Sequence, residues 1–387
     1  MSRASSAPGA PRLIFSDDLT GYDFGPDHAM APGRVADTIA LARALGVLDH
    51  LEVVPPPPAN RALLELVHHD DYIAAVELGI PDPVYGLGTH DNPITHDMHE
   101  VTSLIVAASV EAARSVWSGE VRRATNISGG LHHAMPGLAS GFCIYNDVAV
   151  AIAWLLAQGA ERVAYVDIDV HHGDGVQAVF YDDPRVLTVS LHESPQTLFP
   201  GTGWPHETGG PHAIGSAVNV ALPAGTGDAG WLRAFDAIVP PVLTEFAPQV
   251  LITQHGCDSH RHDPLADLRL SLDGQRQSYL MLAELTDRTA AGWVSTGGGG
   301  YAVREVVPRA WTHLLGIVAG HPVDPQTEIP QEWRDAVGEG APTMMTDGVE
   351  VSFARFDDGF DPGSRLDQAV IATRKAVFPD HGLDPGL

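Results

Sequence analysis

Asp167, Asp169 and His171 stand at alternate positions directly after an apolar run, Val163-Ala-Tyr-Val166. In an extended strand, residues two apart share a face, so two carboxylates and an imidazole would point the same way. That is a metal-ligand set. The plainer alternative is a strand end whose carboxylates cap the next helix, and His171 in phase favours the metal. Gly173-Asp174-Gly175 then turns the backbone out of the sheet at the carboxyl end of a strand, where open α/β sheets place their binding crevice. Two other strand ends carry chemistry at the same relative position: Asp258, in Gln254-His-Gly-Cys-Asp258, and Tyr301, after Gly297 to Gly300. The glycine run lacks the Lys-Ser/Thr of a phosphate loop and reads better as backbone that passes close to a substrate. Gly129-Gly130-Leu131-His132-His133 puts paired imidazoles on a loop after another strand, in a structural or a chemical role.

Weaker candidates surround these. The polar stretch 81–97 with its flank holds His90, Asp91, His96, Asp97, His99 and Glu100. His99-Glu100 lacks the second histidine of a His-Glu-x-x-His helix, so a second metal is disfavoured and Asp91 reads as a substrate contact on a rim loop. Gly201-Thr-Gly203 is too short a signal for a nucleotide. Arg34 opens a helix with the wrong sign for the helix dipole, which assigns it either a task elsewhere or plain exposure to solvent. Cys143 and Cys257 are the only cysteines, too few for a disulfide framework, and read as reduced, packed thiols near the site.

Positioning such residues requires strands that all end on one side. Hydrophobic patterning predicts strands over 12–16, 125–128, 163–169, 186–191, 217–222, 249–253 and 292–296, seven in all. Between them it predicts helices over 35–48, 98–117, 145–158, 175–181, 230–245 (capped by Asp228), 275–290 and 304–319, with a shorter one after Asn60. This alternation implies a parallel sheet covered by helices on both faces. Pro55 to Pro58 stop a helix without dividing domains, since the residues before them cannot make a core. The chain therefore reads as a single domain over 1–387, with a catalytic core over about 12–320. Residues 321–387, rich in Pro, Asp and Gly, read as a wrapping extension with short helices at 331–337 and 365–377.

Composition bounds the partners. Of 387 residues, 49 are acidic and 22 basic, for a net charge of −27, which argues against nucleic acid or an anionic membrane and suits a cationic substrate or simple solubility. A hydrophobic content of 44% supports a large core. The first residues have no apolar run of signal-peptide length, and no later run reaches membrane-helix length, so the expectation is a cytoplasmic protein.

Taken together, His132-His133, Gly141-Phe142-Cys143, Asp167-Ile-Asp169-Val-His171-His172-Gly173-Asp174-Gly175, Ser190-Leu191-His192, Phe199-Pro200-Gly201-Thr202-Gly203, Gly256-Cys257-Asp258 and Gly297 to Tyr301 resemble the zinc-dependent histone deacetylase superfamily, closest to its bacterial acetoin utilization branch. The resemblance covers about residues 12–320. It implies an arginase/deacetylase-like three-layer α/β/α fold with a mostly parallel eight-stranded sheet. It also implies that Asp169, His171 and Asp258 bind zinc, leaving positions for water and substrate. Two carboxylates with one imidazole is a fairly hard set, so Fe(II) is an alternative.

The family's roles carry over to this sequence residue by residue. His133 becomes the general base, His132 holds and tunes the water, and Asp167 and Asp174 orient His132 and His133 respectively. Tyr301 becomes the oxyanion donor. Phe142 and Phe199 become tunnel walls and Leu265 a rim residue, with Gly141 and Gly299 also against the substrate and Asp91 accepting its backbone hydrogen bonds. Two monovalent-cation sites (K+ or Na+) are implied, one from Asp167, Asp169, His171, Ser190 and Leu191, the other including Phe180, Asp183 and Val186. Arg34 matches an arginine beneath the active site, although its segment, His28-Ala-Met-Ala-Pro-Gly-Arg34, departs from the family pattern at Ala29 and Gly33.

The activity so implied is hydrolysis of N-acetyl-lysine amides in proteins, acetyl-CoA synthetase being one candidate substrate. A small-molecule amidohydrolase acting on acetylated polyamines is the competing enzyme reading. Arginase-like ureohydrolysis would want Asp-x-His-x-Asp, whereas this strand gives Asp-x-Asp-x-His. A non-catalytic acyl-lysine binder would have no need of Tyr301.

Overall fold

Runs of apolar and β-branched residues too short for helices become the strands β1 (Arg12–Ile14), β2 (Glu52–Val54), β3 (Arg123–Asn126), β4 (Val163–Asp167), β5 (Val186–Glu193), β6 (Ala217–Leu222), β7 (Val250–Gln254) and β8 (Gly292–Thr296). The computed structural model describes residues 8–25 and 28–386. Among them, the eight strands form one sheet in the order β2-β1-β3-β8-β7-β4-β5-β6, and every pairing is parallel. Every residue of β4, β7 and β8 is buried, as expected where helices cover both faces of a parallel sheet. Helix Met98–Trp117 packs on β1, β3 and β8 and against helix Asp147–Ala157, while helix Leu272–Thr289 packs on β8 and against helices Asp228–Phe246 and Val307–Val318. One continuous apolar core runs from Leu13 to Phe378.

This order positions the site. Parallel strands all end on one edge, and β3, β8, β7 and β4 are consecutive neighbours in the sheet. The loops that follow them, carrying His132-His133, Tyr301, Asp258 and Asp169-His171, are therefore adjacent although they lie far apart in the chain.

The structure differs from the sequence expectation at several points. The sheet is wholly parallel. Its eighth strand, β2, escaped the pattern because it has only three residues, none of them buried. β4 ends at Asp167, so Asp169 and His171 lie beyond the strand, and the shared strand face is not what brings them together. The helix expected over 35–48 runs Gly33–Ala44 and stops where Gly46 takes φ 73°, a conformation that favours glycine. Helix Asp70–Leu78, which patterning missed, follows the helix capped by Asn60. Asp228 does not cap its own helix; its carboxylate accepts from the Ser271 backbone N–H (2.7 Å) and hydroxyl, bracing the next helix instead.

The C-terminal segment runs back over the core. Trp333, on helix Gln331–Val337, forms a small second cluster with Leu41, Ile329 and Met345, and helix Arg365–Val377 covers β6 and helix Asp228–Phe246. A partly buried ion pair, Arg233 to Asp367 at 2.7 Å, ties helix Arg365–Val377 down. Among the described residues no helix is long and apolar enough to cross a membrane.

Candidate active site

The loop after β3 must turn sharply beside the loop after β8. At Gly130, φ is 96° and a Cβ would overlap the backbone of Gly297, so only glycine fits. The start of helix Asp147–Ala157 grips this loop from two directions. The buried Asp147 carboxylate accepts from the N–H groups of Gly130 (3.0 Å) and Leu131 (2.8 Å), while the Asn146 amide donates to the carbonyls of His132 (3.2 Å) and Ala134 (3.0 Å). The paired imidazoles are thus held by their own backbone. Each also has a carboxylate behind it. His132 Nδ1 lies 2.7 Å from Asp167 Oδ2 and His133 Nδ1 lies 2.6 Å from Asp174 Oδ1, so the two Nε2 atoms converge to 3.1 Å. Asp167 Oδ2 also accepts from the Tyr165 hydroxyl at 2.6 Å.

The two histidines differ electrostatically. Burial opposes charge on both. At His132 the nearby Asp167 and Asp169 outweigh burial and push the imidazole up to about 9. At His133 burial, reinforced by His132, outweighs Asp174 and lowers the pKa below its ordinary value. The carboxylates thus favour the protonated form of His132 and burial the neutral form of His133.

Asp169, His171 and Asp258 meet in the same place. Each offers a donor atom within 4.8 Å of the others, and all three are buried. His171 Nδ1 lies 3.1 Å from Asp169 Oδ1 and 3.2 Å from Asp258 Oδ2. The outer lone pairs are taken up: Asp169 Oδ2 accepts from Gln254 Nε2 and the Gly299 N–H, both at 2.8 Å, and Asp258 Oδ1 accepts from the Val170 N–H at 2.9 Å. Gly299 must be glycine, because a Cβ there would overlap the Asp258 carboxylate. Among the described residues no Lys or Arg pairs with Asp169 or Asp258. Burial and the neighbouring Asp169 push Asp258 up to about 7, and the two carboxylates, against burial, push His171 up to about 10. A buried trio that attracts positive charge this strongly, with no Lys or Arg beside it among the described residues, fits a divalent metal.

Tyr301 faces the trio from the β8 loop. Its backbone N–H donates to Asp263 (2.7 Å), its ring stands edge-on to Phe142 at 5.6 Å, and the Arg34 guanidinium lies 5.5 Å from its centroid. Arg34 is buried, resolving its two sequence readings in favour of a task, and it donates to the Gly298 carbonyl at 2.5 Å. Burial and the charge of Asp258 raise the Tyr301 phenol well above its ordinary value, so it stays a donor.

Above the trio opens a cavity of about 240 Å³. His133, His171 and Tyr301 form its floor, Phe142, Phe199 and Gly141 its walls, and Asp91 and Leu265 its mouth. Phe142 sits at φ 67° after Gly141 at φ 52°, an uncommon conformation for a bulky residue. The Tyr22 hydroxyl donates to the Phe142 carbonyl, and Cys143 N–H closes the turn onto Ser140 at 2.8 Å. Cys143 and Cys257 are free, buried thiols whose pKa burial raises, and Cys143 leads out of this turn.

Every catalytic, ligand and substrate-side candidate except Gly299 thus lines this cavity or stands directly behind it; Gly299 lies beneath, on Asp169, beside a chamber of about 20 Å³. Of the expected monovalent-cation residues, Asp167 and Ser190 are register partners on β4 and β5, followed by Leu191, while Phe180, Asp183 and Val186 share one turn in which Asp183 N–H donates to the Phe180 carbonyl at 3.0 Å. His90, His96, Asp97 and Glu100 form no metal group with one another. Sequence reasoning passed over Gln254, Asn146, Asp147 and Asp263. Each is a polar residue with little or no exposure; the first three stand at the end of a strand or the start of a helix, which was the available signal, whereas Asp263 lies in a polar loop that gave none.

A histone deacetylase domain matches residues 28–318. The chain belongs to the histone deacetylase family. Within that family it falls with the acetoin utilization branch: it is 41% identical over 329 residues to the acetoin utilization protein AcuC of Bacillus subtilis (strain 168), covering 83% of this chain and 84% of that protein. AcuC of Staphylococcus aureus (strain MSSA476) is 36% identical over 328 residues, with coverage of 83% and 84%. Among solved structures, an HDAC homolog from Aquifex aeolicus superposes with a TM-score of 0.83 at 28% identity, covering 94% of this chain and 100% of its own. An HDAC homolog complexed with SAHA gives the same score and coverage at 27% identity. The histone deacetylase family carries deacetylase chemistry on acetylated substrates and implies a metal, which the Asp169, His171 and Asp258 group could hold.

Proposed function

We propose that this protein hydrolyses the acetyl amide of acetylated lysine side chains in proteins, with Zn2+ held by Asp169, His171 and Asp258 and Fe2+ as the alternative the same donors accept. The observation that carries the reading is the slot lined by Phe142 and Phe199, which His133, His171 and Tyr301 line as well. Such a slot suits an unbranched chain with its carbonyl at the floor. Metal bound there supplies a Lewis acid and a water of lowered pKa. His133 Nε2 takes the proton of the attacking water as the new C–O bond forms, with Asp174 holding the opposite ring nitrogen. His132, fixed by Asp167, keeps that water aligned. The Tyr301 hydroxyl donates to the oxyanion, and His133 returns the proton to the nitrogen as the C–N bond breaks. Asp91, largely exposed at the mouth, is suited to accept backbone N–H groups of the flanking polypeptide.

Monovalent cations at the two clusters named above would brace β4 and its following helix. The continuous core supports reading the whole chain as one domain, and the net charge of −27 supports a cytoplasmic enzyme without nucleic-acid or membrane partners. That same charge favours one second reading, an acetylpolyamine deacetylase. Metal analysis of the purified protein, with an acetyl-lysine peptide panel and an acetylpolyamine assayed side by side, separates the two. Turnover of peptides with about one equivalent of zinc is expected. Hydrolysis of the polyamine alone would overturn the protein-deacetylase reading.

A further inference from the structure

The matched deacetylase domain ends at residue 318, yet one carboxylate from well beyond it reaches the loop that carries Asp258. His260, fully buried, accepts the His262 backbone N–H at Nδ1 (3.1 Å) and therefore carries its proton at Nε2, which donates to Asp347 Oδ2 at 2.8 Å. The same oxygen accepts from Arg261 and the Leu272 N–H, both at 3.1 Å, and Oδ1 pairs with buried Arg309 at 3.0 Å. The extension is pinned on either side of Asp347: Thr346 donates to Asp273 (2.6 Å), the Asp347 and Val349 N–H groups donate to Asp273 Oδ2 (3.1 and 3.0 Å), and His313 donates to the Met345 carbonyl (2.6 Å).

What lies on the far side of His260 gives this latch its meaning. Two residues before it stands Asp258. The His260 carbonyl accepts the Asp263 N–H at 2.9 Å, and the Asp263 carboxylate holds the backbone N–H of Tyr301 at 2.7 Å and that of the rim residue Leu265 at 3.0 Å. A line of hydrogen bonds therefore runs from the extension through His260 and Asp263 to the oxyanion donor and the mouth of the cavity, while the His260 N–H donates to the carbonyl of Cys257 (3.2 Å), the residue just before Asp258.

We propose that Asp347 is a positioning residue that, through His260, sets the loop 257–263 and thereby the placement of Asp258 and Tyr301, so that the C-terminal extension is a working part of the active centre. The inference rests on the metal reading given above. A merely structural strap would hold the extension to the core with equal effect from any of its anchors, whereas the geometry assigns the effect on the site to one anchor.

The test uses the full chain stripped of metal and titrated with Co2+, followed by visible absorption, with thermal melting and steady-state kinetics in parallel. Three variants are compared. His260→Phe removes the donor while leaving the Arg309–Asp347 pair in place, Asp347→Asn weakens the latch itself, and Thr346→Val loosens the same extension at Asp273, away from the loop. Uptake by the wild type, with Co2+ affinity about 10- to 100-fold weaker, an altered absorption band and a lower kcat at little-changed KM in His260→Phe and Asp347→Asn, is the expected result. Thr346→Val should melt earlier and bind Co2+ as the wild type does. Unchanged affinity in folded His260→Phe, or affinity lost in Thr346→Val in step with melting temperature, would overturn the proposal. If Asp347→Asn fails to fold because Arg309 is left buried and unpaired, His260→Phe decides alone. No Co2+ uptake by the wild type would instead overturn the metal reading, and this inference with it.

Discussion

Tyr301 owes its place to several groups around it, of which only Phe142 also lines the cavity. Asp263 fixes its backbone, Phe142 and Arg34 fix its ring, and burial keeps its phenol protonated. Its contribution should be confined to the step in which negative charge develops. Replacing it by Phe is expected to lower kcat by about 10²- to 10³-fold, with KM and metal content unchanged. Full activity in that variant would remove Tyr301 from the mechanism. At this scale the sequence was informative. Aspartate, histidine and tyrosine types at strand ends were visible as candidates, and their family roles could be carried over position by position. What it concealed were residues that act through others. Gln254 looks like an ordinary strand residue until its amide is seen 2.8 Å from Asp169, and Asp347 looks like part of a polar tail.

At the scale of elements, the site depends on how loops are gripped by the starts and ends of regular structure. Helix Asp147–Ala157 is the clearest case, since its first turn holds the histidine loop through the Asp147 carboxylate. An amide in that position can accept from those backbone N–H groups with only one oxygen and must turn its NH₂ toward the other donors. Asp147→Asn is therefore expected to cost about 1–3 kcal/mol in urea unfolding and to lower kcat more than it raises KM. A variant with wild-type stability and turnover would show that the grip is dispensable. Long strands and amphipathic helices were readable because their periods are strong: helix Met98–Trp117 and strand β8 fall where patterning puts them. Short, exposed β2 carries almost no such signal. Two of the candidate ligands, Asp169 and His171, were picked out by a pattern the structure does not keep. Alternation suggested one strand face, yet the strand stops at Asp167, and it is the irregular backbone beyond it that brings Asp169 and His171 to Asp258.

At the scale of the whole molecule, much imidazole is buried in neutral form. Burial lowers His192 and His255 to about 3 and His68, His172 and His313 to about 4. In the unfolded chain these groups take up protons below about 6.5, whereas in the folded protein they resist until the lower values. Their contribution to stability is thus complete above about pH 6.5 and is lost as pH falls toward 4, by up to about 1.4 kcal/mol per pH unit for each group. His132 and His171, raised to about 9 and about 10, act in the opposite sense and lose their contribution as pH rises through those values. Below about pH 6.5 the contribution of these two is flat, whereas Asp258 and Asp263, raised chiefly by burial to about 7 and about 6, take up protons in the folded state there and oppose the five. The melting temperature of chelated protein should still fall between pH 6.5 and pH 4.5, and a flat profile there would contradict neutral burial.

The strand order has a further consequence, for the making of the protein. β7 and β8 lie between β3 and β4, yet they are the last strands to be synthesised. Until they arrive, the nascent chain can form only two half-sheets, β2-β1-β3 and β4-β5-β6, each presenting an open, apolar edge toward the gap between them. Such edges are templates for pairing with other chains. Interrupted translation before Thr296 would therefore release a fragment prone to aggregate, rather than a weakened enzyme. The segment that closes the gap is also the one that brings Asp258 and Tyr301, so insertion of the last two strands completes the sheet and assembles the chemistry in one event.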